Sequence, residues 1–307
     1  MRIFMTGANG FVGTNLCRNL VKEGFQVTAL IRGKGKHLPG EVSRVMGEST
    51  KPGKWQESVA GHDVLINLAG ASIFKRWNKE YKQLLRDSRM LTTKNLVEAI
   101  PKESGPKMAL LSTSAVGYYG SRGDEELDEK ALAGDDFLAK LAIDWESEAF
   151  KAREKGVRVV ITRFGIVLGH DGGALEQMAM PFRFFVGGPL GKGRQWFSWI
   201  HIEDLIAAAL FIITRPDIDG AVNFTAPNPI RNKDLAKAIG TVMHRPSFMP
   251  APGFMIKLLM GELGSVILNG QRVLPGVLQS KGFNFNFPDI KTALQNLLAE
   301  QGALNQA

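Results

Sequence analysis

The segment TGANGFVG, residues 6–13, has the residue types and spacing of a loop that holds phosphate groups. It follows the apolar run RIFM and precedes a stretch with helical spacing. Its three glycines permit a tight turn, a close approach of the backbone to a pyrophosphate, and close packing of the helix on the strand. The N-terminus of the helix offers unpaired N–H groups and a positive partial charge to the phosphates. The segment therefore predicts a dinucleotide-binding site.

Three cations follow the second predicted strand, where an NAD-selective site usually has a carboxylate for the ribose 2′-hydroxyl. They are Arg32, Lys34 and Lys36, and no Asp or Glu lies between Gly24 and Gly40. A guanidinium at position 32 can bond to a 2′-phosphate and stack on adenine. The alternative is a solvated loop of three cations. The sequence favours NADP(H) over NAD(H).

The elements that must position this loop alternate through the first two thirds of the chain. Continuous apolar runs of strand length are typical of buried parallel strands. These runs are RIFMTG, FQVTALIR, SRVMG, DVLINLAG, KMALLSTSA and VRVVITRFG. Amphipathic stretches between them predict helices over 14–23, 79–100 and 135–155. The alternation predicts an α/β fold, a Rossmann-like doubly wound parallel sheet with helices on both faces.

The pattern changes in the last third of the chain. Residues 168–199 are rich in glycine and aromatic residues and show poor periodicity, so we interpret them as an insertion. A helix over 203–214 and a strand over 221–226 are predicted next. Amphipathic segments then continue to the end, and Asn232 is the expected N-cap of the first.

The 307 residues are enough for one large α/β domain with an appended lobe. We expect an NADP(H)-binding domain over residues 1–226 and a small helical C-terminal lobe over 227–307. The lobe would lie on the substrate side or the partner side of the cleft. A hydrophobic content of 44% and a charged content of 22% predict a globular protein with a sizeable core.

Composition and charge exclude several classes of protein. The single cysteine, Cys17, rules out an intrachain disulfide, and five scattered histidines lack ligand spacing, so no metal site is expected. The net charge is +8, but without a dense basic run we expect no nucleic-acid partner. No apolar run approaches the roughly 18 residues of a membrane span, and no leader opens the sequence. We therefore expect a cytoplasmic protein without a membrane partner.

Four short motifs follow one another along the chain: TGANGFVG, NLAGA from Asn67, STSAVGYYG from Ser112 and TRFGIVLG from Thr162. Together they resemble the extended or atypical short-chain dehydrogenase/reductases of the NAD(P)-dependent epimerase/dehydratase group. The longer segments RWNKEYKQLLRDSRMLTTKNL, FLAKLAIDWE, WFSWIHIEDL and NGQRVLPGVLQSKGFNFNFPDIKTAL are similar to a narrower branch. Its members are labelled epimerase family proteins and carry a distinctive C-terminal domain. The resemblance covers essentially the whole chain.

The resemblance implies a set of cofactor contacts in addition to Arg32. They are Gly7, Asn9, Gly10, Phe11, Val12, Gly13, Leu68, Ala69, Gly70, Arg89 and Ile166. The end of the fourth strand would pass beneath the adenosine ribose and pyrophosphate, and Ile166 would lie against the nicotinamide. Arg89 stands where extended members usually place an Asn that faces the cofactor. The alternative for Arg89 is a surface ion pair with Asp87 or another neighbour.

The chemistry of this group uses a Ser, a Tyr and a Lys. Ser114 matches the family serine, which fixes the substrate oxygen. Phe137 and Leu141 occupy the Tyr and Lys positions, and neither can carry a proton. Tyr118 or Tyr119, close after the serine strand, is the candidate replacement, and aromatic packing against the cleft wall is the alternative. We take Ser114 and Tyr119 as the candidate catalytic pair.

A further set of polar and aromatic residues is expected near the mouth of the cleft: Arg163, Gln195, Trp196, Trp199, His201, Glu203 and Asp204. Within this set His201 and Asp204 stand three residues apart at a predicted helix start. They form either a proton pair or a helix cap with a structural hydrogen bond.

Two hypotheses of function follow. In the first, the protein is an NADP(H)-dependent oxidoreductase or isomerase acting on an unidentified small molecule, of which a nucleotide sugar is one option. In the second, it is a catalytically weak NADP(H)-binding regulator whose C-terminal lobe meets a protein partner. Some members of the branch have been labelled cell-division inhibitors, which suits a regulator as well as an enzyme. A homodimer is a further option, because many relatives form dimers through a helix bundle.

Overall fold

A computed structural model describes residues 1–33, 37–102, 104–105, 108–170 and 172–304, with side chains as far as residue 298. Two of the three cations predicted to follow the second strand, Lys34 and Lys36, lie outside the described residues.

A parallel sheet of seven strands forms the centre of the molecule. The strands are β1 (Arg2–Thr6), β2 (Gln26–Ile31), β3 (Ser43–Met46), β4 (Val64–Asn67), β5 (Ala109–Ala115), β6 (Arg158–Phe164) and β7 (Gly220–Phe224). Their spatial order is β3-β2-β1-β4-β5-β6-β7, and every neighbouring pair is parallel. The predicted doubly wound sheet is confirmed. The strand order reverses between β1 and β4, and such sheets bind ligands at the carboxyl ends beside this point.

Helices cover both faces of the sheet. The α-helices are α1 (Phe11–Lys22), α2 (Lys79–Ala99), α3 (Phe137–Phe150), α4 (Leu175–Arg183), α5 (Ile202–Ile213), α6 (Asn232–Met243), α7 (Gly253–Met260), α8 (Glu262–Ile267), α9 (Gly276–Ser280) and α10 (Ile290–Leu304). On one face, α1 and α5 bury Leu16 and Ile206 against Ile3 of β1. On the other face, α2 and α3 pack with Phe4 of β1 and with Leu110 of β5. This burial from both sides explains the apolar runs of β1, β2, β4, β5 and β6, whereas no residue of the edge strand β3 is buried.

The strand register sets two rows of polar side chains at the carboxyl ends. Thr6 of β1 lies opposite Asn67 of β4, which lies opposite Ser112 of β5. Closer to the strand ends, Ser114 of β5 lies opposite Arg163 of β6, which lies opposite Asn223 of β7. Side chains that are far apart in the sequence therefore meet at the edge where a ligand would bind.

Two local features differ from the sequence interpretation. The 168–199 segment contains a regular helix, α4, between short strands, although its glycines and aromatic residues obscured the helical period. Asn232 is not the N-cap of α6. The cap is Arg231, and the Asn232 side chain accepts a 2.7 Å hydrogen bond from the backbone N–H of Leu190.

The C-terminal residues pack on the rest of the molecule at two places. Leu278 of α9 belongs to the same apolar cluster as β1, α1 and α5. Leu294 of α10 and Leu235 of α6 pack with Trp199 and with Leu175 of α4. No helix among the described residues combines the length and apolar character needed to cross a membrane.

Candidate functional site

The glycine loop after β1 is shaped by contacts that leave no room for a side chain. Gly7 has a φ of +72°, and a Cβ built there would lie 2.7 Å from the backbone nitrogen of Ala69. A Cβ on Gly13 would lie 2.3 Å from the carbonyl oxygen of Gly7. The first glycine therefore lets the loop touch the end of β4, and the last lets α1 pack against the loop.

The N-terminus of α1 is open to an anionic ligand. Gly10 is the N-cap and supplies no side-chain hydrogen bond, and no acidic residue stands in the first turn. The first N–H groups of a helix have no acceptor within the helix, and they carry the positive end of its dipole. This arrangement fits phosphate groups, as the glycine pattern predicts.

Phe11 has a packing role that the sequence did not indicate. Its ring lies against Gly169, the last residue of the strand Ile166–Gly169, where a Cβ would lie 2.5 Å from the ring. A Cβ on Gly172 would lie 2.8 Å from the same ring. The side chain therefore ties the loop to the Ile166 strand, which leaves the backbone of Phe11 as the part that could face a ligand.

A buried polar network joins the ends of β1, β4 and β5 beneath the loop. The Thr6 hydroxyl donates a 2.7 Å hydrogen bond to Asn67 Oδ1. The Asn67 amide donates to the Thr93 hydroxyl of α2 at 2.8 Å and to the Ser112 hydroxyl at 3.3 Å. Because buried polar groups are costly to leave unpaired, this network fixes the relative positions of the three strand ends.

Arg89 lies beside the open end of β4 without a carboxylate partner among the described residues. A Cβ on Gly70 would lie 3.3 Å from Arg89 Cζ, and the guanidinium is 5.1 Å from the ring centre of Trp145. It donates a 3.0 Å hydrogen bond to the carbonyl of Leu85, and burial lowers its pKa to about 10. The alternative of an ion pair with Asp87 is not seen, since Asp87 instead accepts from Gln83. Arg89 is a half-buried cation suited to an anionic ligand.

Arg32 is exposed directly after β2, at the same edge of the sheet. The sequence pattern did not anticipate a nearby carboxylate, but Glu48 follows β3, the neighbour of β2. Hydrogen bonds from Lys51 and Thr50 lower the pKa of Glu48, and the charge of Arg32 contributes to the same shift. Arg32 therefore follows β2 as an exposed cation that interacts electrostatically with one acidic residue, Glu48.

Ser114 lies at the end of β5, as predicted, but its hydroxyl is hydrogen-bonded to a residue of α3, which packs on one face of the sheet. It is 1% exposed, and it donates a 2.6 Å hydrogen bond to Glu146 of α3. Glu146 also accepts two hydrogen bonds from Arg163, at 2.8 and 2.7 Å. Burial opposes the charge of Arg163, but the bonds and charge of Glu146 outweigh it and raise the pKa of Arg163. The result is a buried ion pair with a serine attached.

Tyr119 belongs to the same buried group. Its hydroxyl donates to Asn223 Oδ1 at 2.7 Å and accepts from Arg163 at 2.9 Å, and the side chain is fully buried. Burial raises the pKa of Tyr119 to about 12. Tyr118 packs its ring 3.5 Å from the Arg163 guanidinium carbon. These contacts give both tyrosines packing roles and do not favour proton exchange between Tyr119 and a substrate.

The family's Tyr and Lys positions are filled by an apolar cluster. Leu141 is buried with Trp77 and Leu85, and Leu263 of α8 completes the group. Phe137 packs edge-on against Trp77 at 5.4 Å between ring centres. The C-terminal helix α8 therefore covers the part of α3 from which a tyrosine and a lysine would act.

The residues expected at the cleft mouth are mostly buried, which corrects that expectation. Trp199, His201 and Asp204 are fully buried. His201 caps α5 by accepting from the N–H of Glu203, and burial lowers its pKa to about 4. Asp204 accepts from two backbone N–H groups, those of residues 286 and 287. The cap and structural-bond interpretation is supported, and the two residues do not form a proton pair.

The structure thus brings most of the proposed cofactor contacts to one edge of the sheet. The glycine loop, residues 68–70, Arg32 and Arg89 lie at the carboxyl ends of β1, β4 and β2, and the Ile166 strand is joined to them through Phe11. Glu146 was missed by sequence reasoning, although a glutamate on an otherwise apolar helix face was an available signal. No cluster that could hold a metal ion occurs among the described residues.

Comparisons with known proteins agree with this architecture. The sequence profile of the NAD dependent epimerase/dehydratase family matches residues 3–223, and that of a domain of unknown function, DUF1731, matches residues 251–297. The Epimerase family protein SDR39U1 homolog, chloroplastic, of Arabidopsis thaliana is 40% identical over 97% of this chain and 87% of its own length. The Bacillus subtilis Epimerase family protein YfhF is 37% identical over 98% of this chain and 99% of its own.

A solved structure shares the same fold. The crystal structure of human epimerase family protein SDR39U1 with NADPH has a TM-score of 0.86 and 32% identity, and the match covers 97% of this chain and 99% of that one. The resemblance drawn from the motifs is confirmed over nearly the full length. The chain belongs to the NAD dependent epimerase/dehydratase family.

Proposed function

We propose that this protein binds NADP(H) and acts as an oxidoreductase or isomerase on a small molecule. The observation that carries the proposal is the open N-terminus of α1, which has no capping side chain and no acid in its first turn. Such a terminus stabilises phosphate groups. The human relative crystallised with NADPH supports the same cofactor for this chain.

The proposed contacts with the cofactor come from five elements of the structure. The N–H groups of residues 11–13 would hold the pyrophosphate, and Arg32 would bond to the 2′-phosphate. Residues 68–70 would support the adenosine ribose and pyrophosphate, and Ile166 would lie against the nicotinamide. Arg89 would add a positive charge on the β4 side. When bound, the nicotinamide would accept or donate a hydride.

The acid–base part of this activity must differ from the usual Ser, Tyr and Lys. Ser114 and Tyr119 are the pair that the resemblance and the sequence offer for a test, but both hydroxyls are buried and hydrogen-bonded within the protein, which argues against them. A reaction that draws its proton from the substrate or from solvent is compatible with this arrangement.

A second candidate function is favoured by the same burial. If no side chain moves a proton at the nicotinamide end, the protein would act as an NADP(H)-binding regulator. The apolar cluster around Leu141 and Leu263 supports this alternative, because apolar side chains stand where the family has its Tyr and Lys.

Cofactor binding is tested by titrating the full chain with NADPH and with NADH, following energy transfer from its five tryptophans. We expect NADPH to bind at least about tenfold more tightly, a difference of about 1.4 kcal/mol. Arg32→Gln should remove this preference, whereas Arg18→Gln, an exposed cation on α1, should retain it. Equal binding of the two cofactors by the unaltered protein would remove the role of Arg32, and no binding would refute the proposal.

The two candidate functions are separated by single-turnover oxidation of bound NADPH with a panel of carbonyl compounds. Turnover that is lost in Ser114→Ala, with NADPH affinity unchanged, supports the enzyme and the assignment of Ser114. Turnover that is unaffected by both Ser114→Ala and Tyr119→Phe removes that pair from catalysis. Tight NADPH binding with no turnover across the panel supports the regulator.

A further inference from the structure

Two neighbouring segments of the chain carry an exposed apolar surface. It is formed by Phe184, Phe185, Val186, Phe248, Met249, Phe254, Met255, Leu258 and Leu259. Four of these side chains, namely Phe184, Phe254, Leu258 and Leu259, are at least 70% exposed. Soluble surfaces rarely gather so many large apolar groups without a partner, so this apolar ridge requires an explanation.

The two segments of the ridge are held side by side by backbone contacts. The N–H of Met249 donates to the carbonyl of Gly187 at 3.2 Å, and the N–H of Ala251 donates to that of Pro189 at 2.9 Å. The N–H of Gly191 returns a 2.8 Å bond to the carbonyl of Ala251. Helix α7, which carries the four most C-terminal members of the ridge, begins directly after this pairing.

The ridge is flanked by cations and contains no acid. Residues 177–202 and 235–261 include no Asp or Glu, but they include Arg245 and Lys257. The Arg245 guanidinium lies 4.6 Å from the ring centre of Phe185, so positive charge and apolar surface are in direct contact.

A cationic pocket of about 800 Å³ borders the same region. Its lining includes Lys233, Lys237, His244 and Arg245, with Asp234 as the one carboxylate among the described lining residues. Pro189, which takes part in the pairing of the two segments, also lines it. A pocket of this character is suited to a phosphate-bearing group next to an apolar one.

We propose that the apolar ridge and the cationic pocket together dock on the surface of a membrane that contains anionic lipid. Apolar side chains on a short helix can enter the boundary between headgroups and acyl chains, and neighbouring cations add attraction to anionic headgroups. A second copy of this chain fits less well. Pairing the ridge with itself would oppose cations to cations with no carboxylate in either segment. The proposal revises the expectation of no membrane contact, which rested on the absence of a span.

The test is co-sedimentation of the full chain with vesicles of phosphatidylcholine, alone or with about one third phosphatidylglycerol. We expect binding to the anionic vesicles that weakens with added salt, and little binding to phosphatidylcholine alone. Phe254→Ser with Leu258→Ser should reduce binding to anionic vesicles at least about tenfold. Lys237→Gln with Arg245→Gln should also reduce it. Circular dichroism and thermal unfolding establish that each variant is folded.

Two matched controls complete the experiment. Leu132→Ser removes an exposed apolar side chain from a loop outside the ridge, and Arg18→Gln removes an exposed cation from α1, so neither should change vesicle binding. No binding to anionic vesicles, or equal binding by the ridge variant and the unaltered protein, would overturn the proposal. It would also be overturned if light scattering showed a dimer that the ridge variant dissociates while vesicle binding is absent.

Discussion

The Ser114 hydroxyl donates a 2.6 Å hydrogen bond to the Glu146 carboxylate, and this bond connects the end of β5 to α3. A serine that donates to a carboxylate retains only its lone pairs for another group. It is therefore poorly arranged to donate a hydrogen bond to a substrate carbonyl. The bond helps to hold the strand end and α3 together.

Replacing Glu146 with Gln should destabilise the protein strongly, because Arg163 would keep its charge without a carboxylate partner. Breaking a buried pair on one side typically costs about 3–5 kcal/mol. Urea unfolding measures the free energy of unfolding, and Glu125→Gln at an exposed ion pair is the matched control. Adding Arg163→Met to Glu146→Gln should recover part of the loss. A loss below about 1 kcal/mol in the single variant would show that the pair is not a stabilising unit.

Gly13→Ala should weaken both folding and cofactor binding. The new methyl group would meet the Gly7 carbonyl, so the loop and α1 would have to separate. Overpacking of this kind costs about 1–3 kcal/mol, and NADPH affinity should fall at least about tenfold. Thermal unfolding and the tryptophan titration measure the two effects. Gly40→Ala, where no atom lies within 4 Å of the added carbon, should leave both unchanged, and similar behaviour of the two variants would contradict the packing argument.

Tyr119 should make the protein sensitive to alkali. Its pKa is raised from 10.0 to about 12, mainly by burial, so folding favours the neutral phenol. The stabilisation is fully present below about pH 10 and is lost as the pH rises through about 12, with a total of roughly 2–3 kcal/mol. Absorbance at the phenolate band should show a transition near pH 12 that Tyr119→Phe removes. A transition near pH 10 in that difference spectrum would argue against the buried environment.

His201 should make the protein sensitive to acid. Burial lowers its pKa from 6.5 to about 4, so folding favours the neutral ring. The stabilisation is fully present above about pH 6.5 and is lost as the pH falls through about 4, with a total of about 3 kcal/mol. The unfolding free energy, measured over this interval, should fall less in His201→Gln than in the unaltered protein. His37→Gln, at an exposed position, should reproduce the unaltered protein, and equal pH dependence in all three would exclude His201 as the source.

The sequence alone determined the strands of the sheet and the glycine loop. Buried parallel strands are short and apolar on both faces, and the six runs read from the first two thirds of the chain all became strands of the sheet. The spacing of Gly7, Gly10 and Gly13 is also a local property, since each glycine is required by backbone that lies a few residues away or at the adjoining strand end. Local patterns of this kind can be recognised in the sequence without knowledge of the fold.

Only the tertiary structure decided the surroundings of the proposed catalytic residues. Ser114, Glu146 and Arg163 are far apart in the sequence, and their contact follows from strand register and from the packing of α3. Leu263, from the C-terminal part of the chain, completes the cluster that occupies the Tyr and Lys positions. Hydrogen bonds and burial between distant segments leave no periodic signal, because each partner's type is set by a neighbour that only folding brings near.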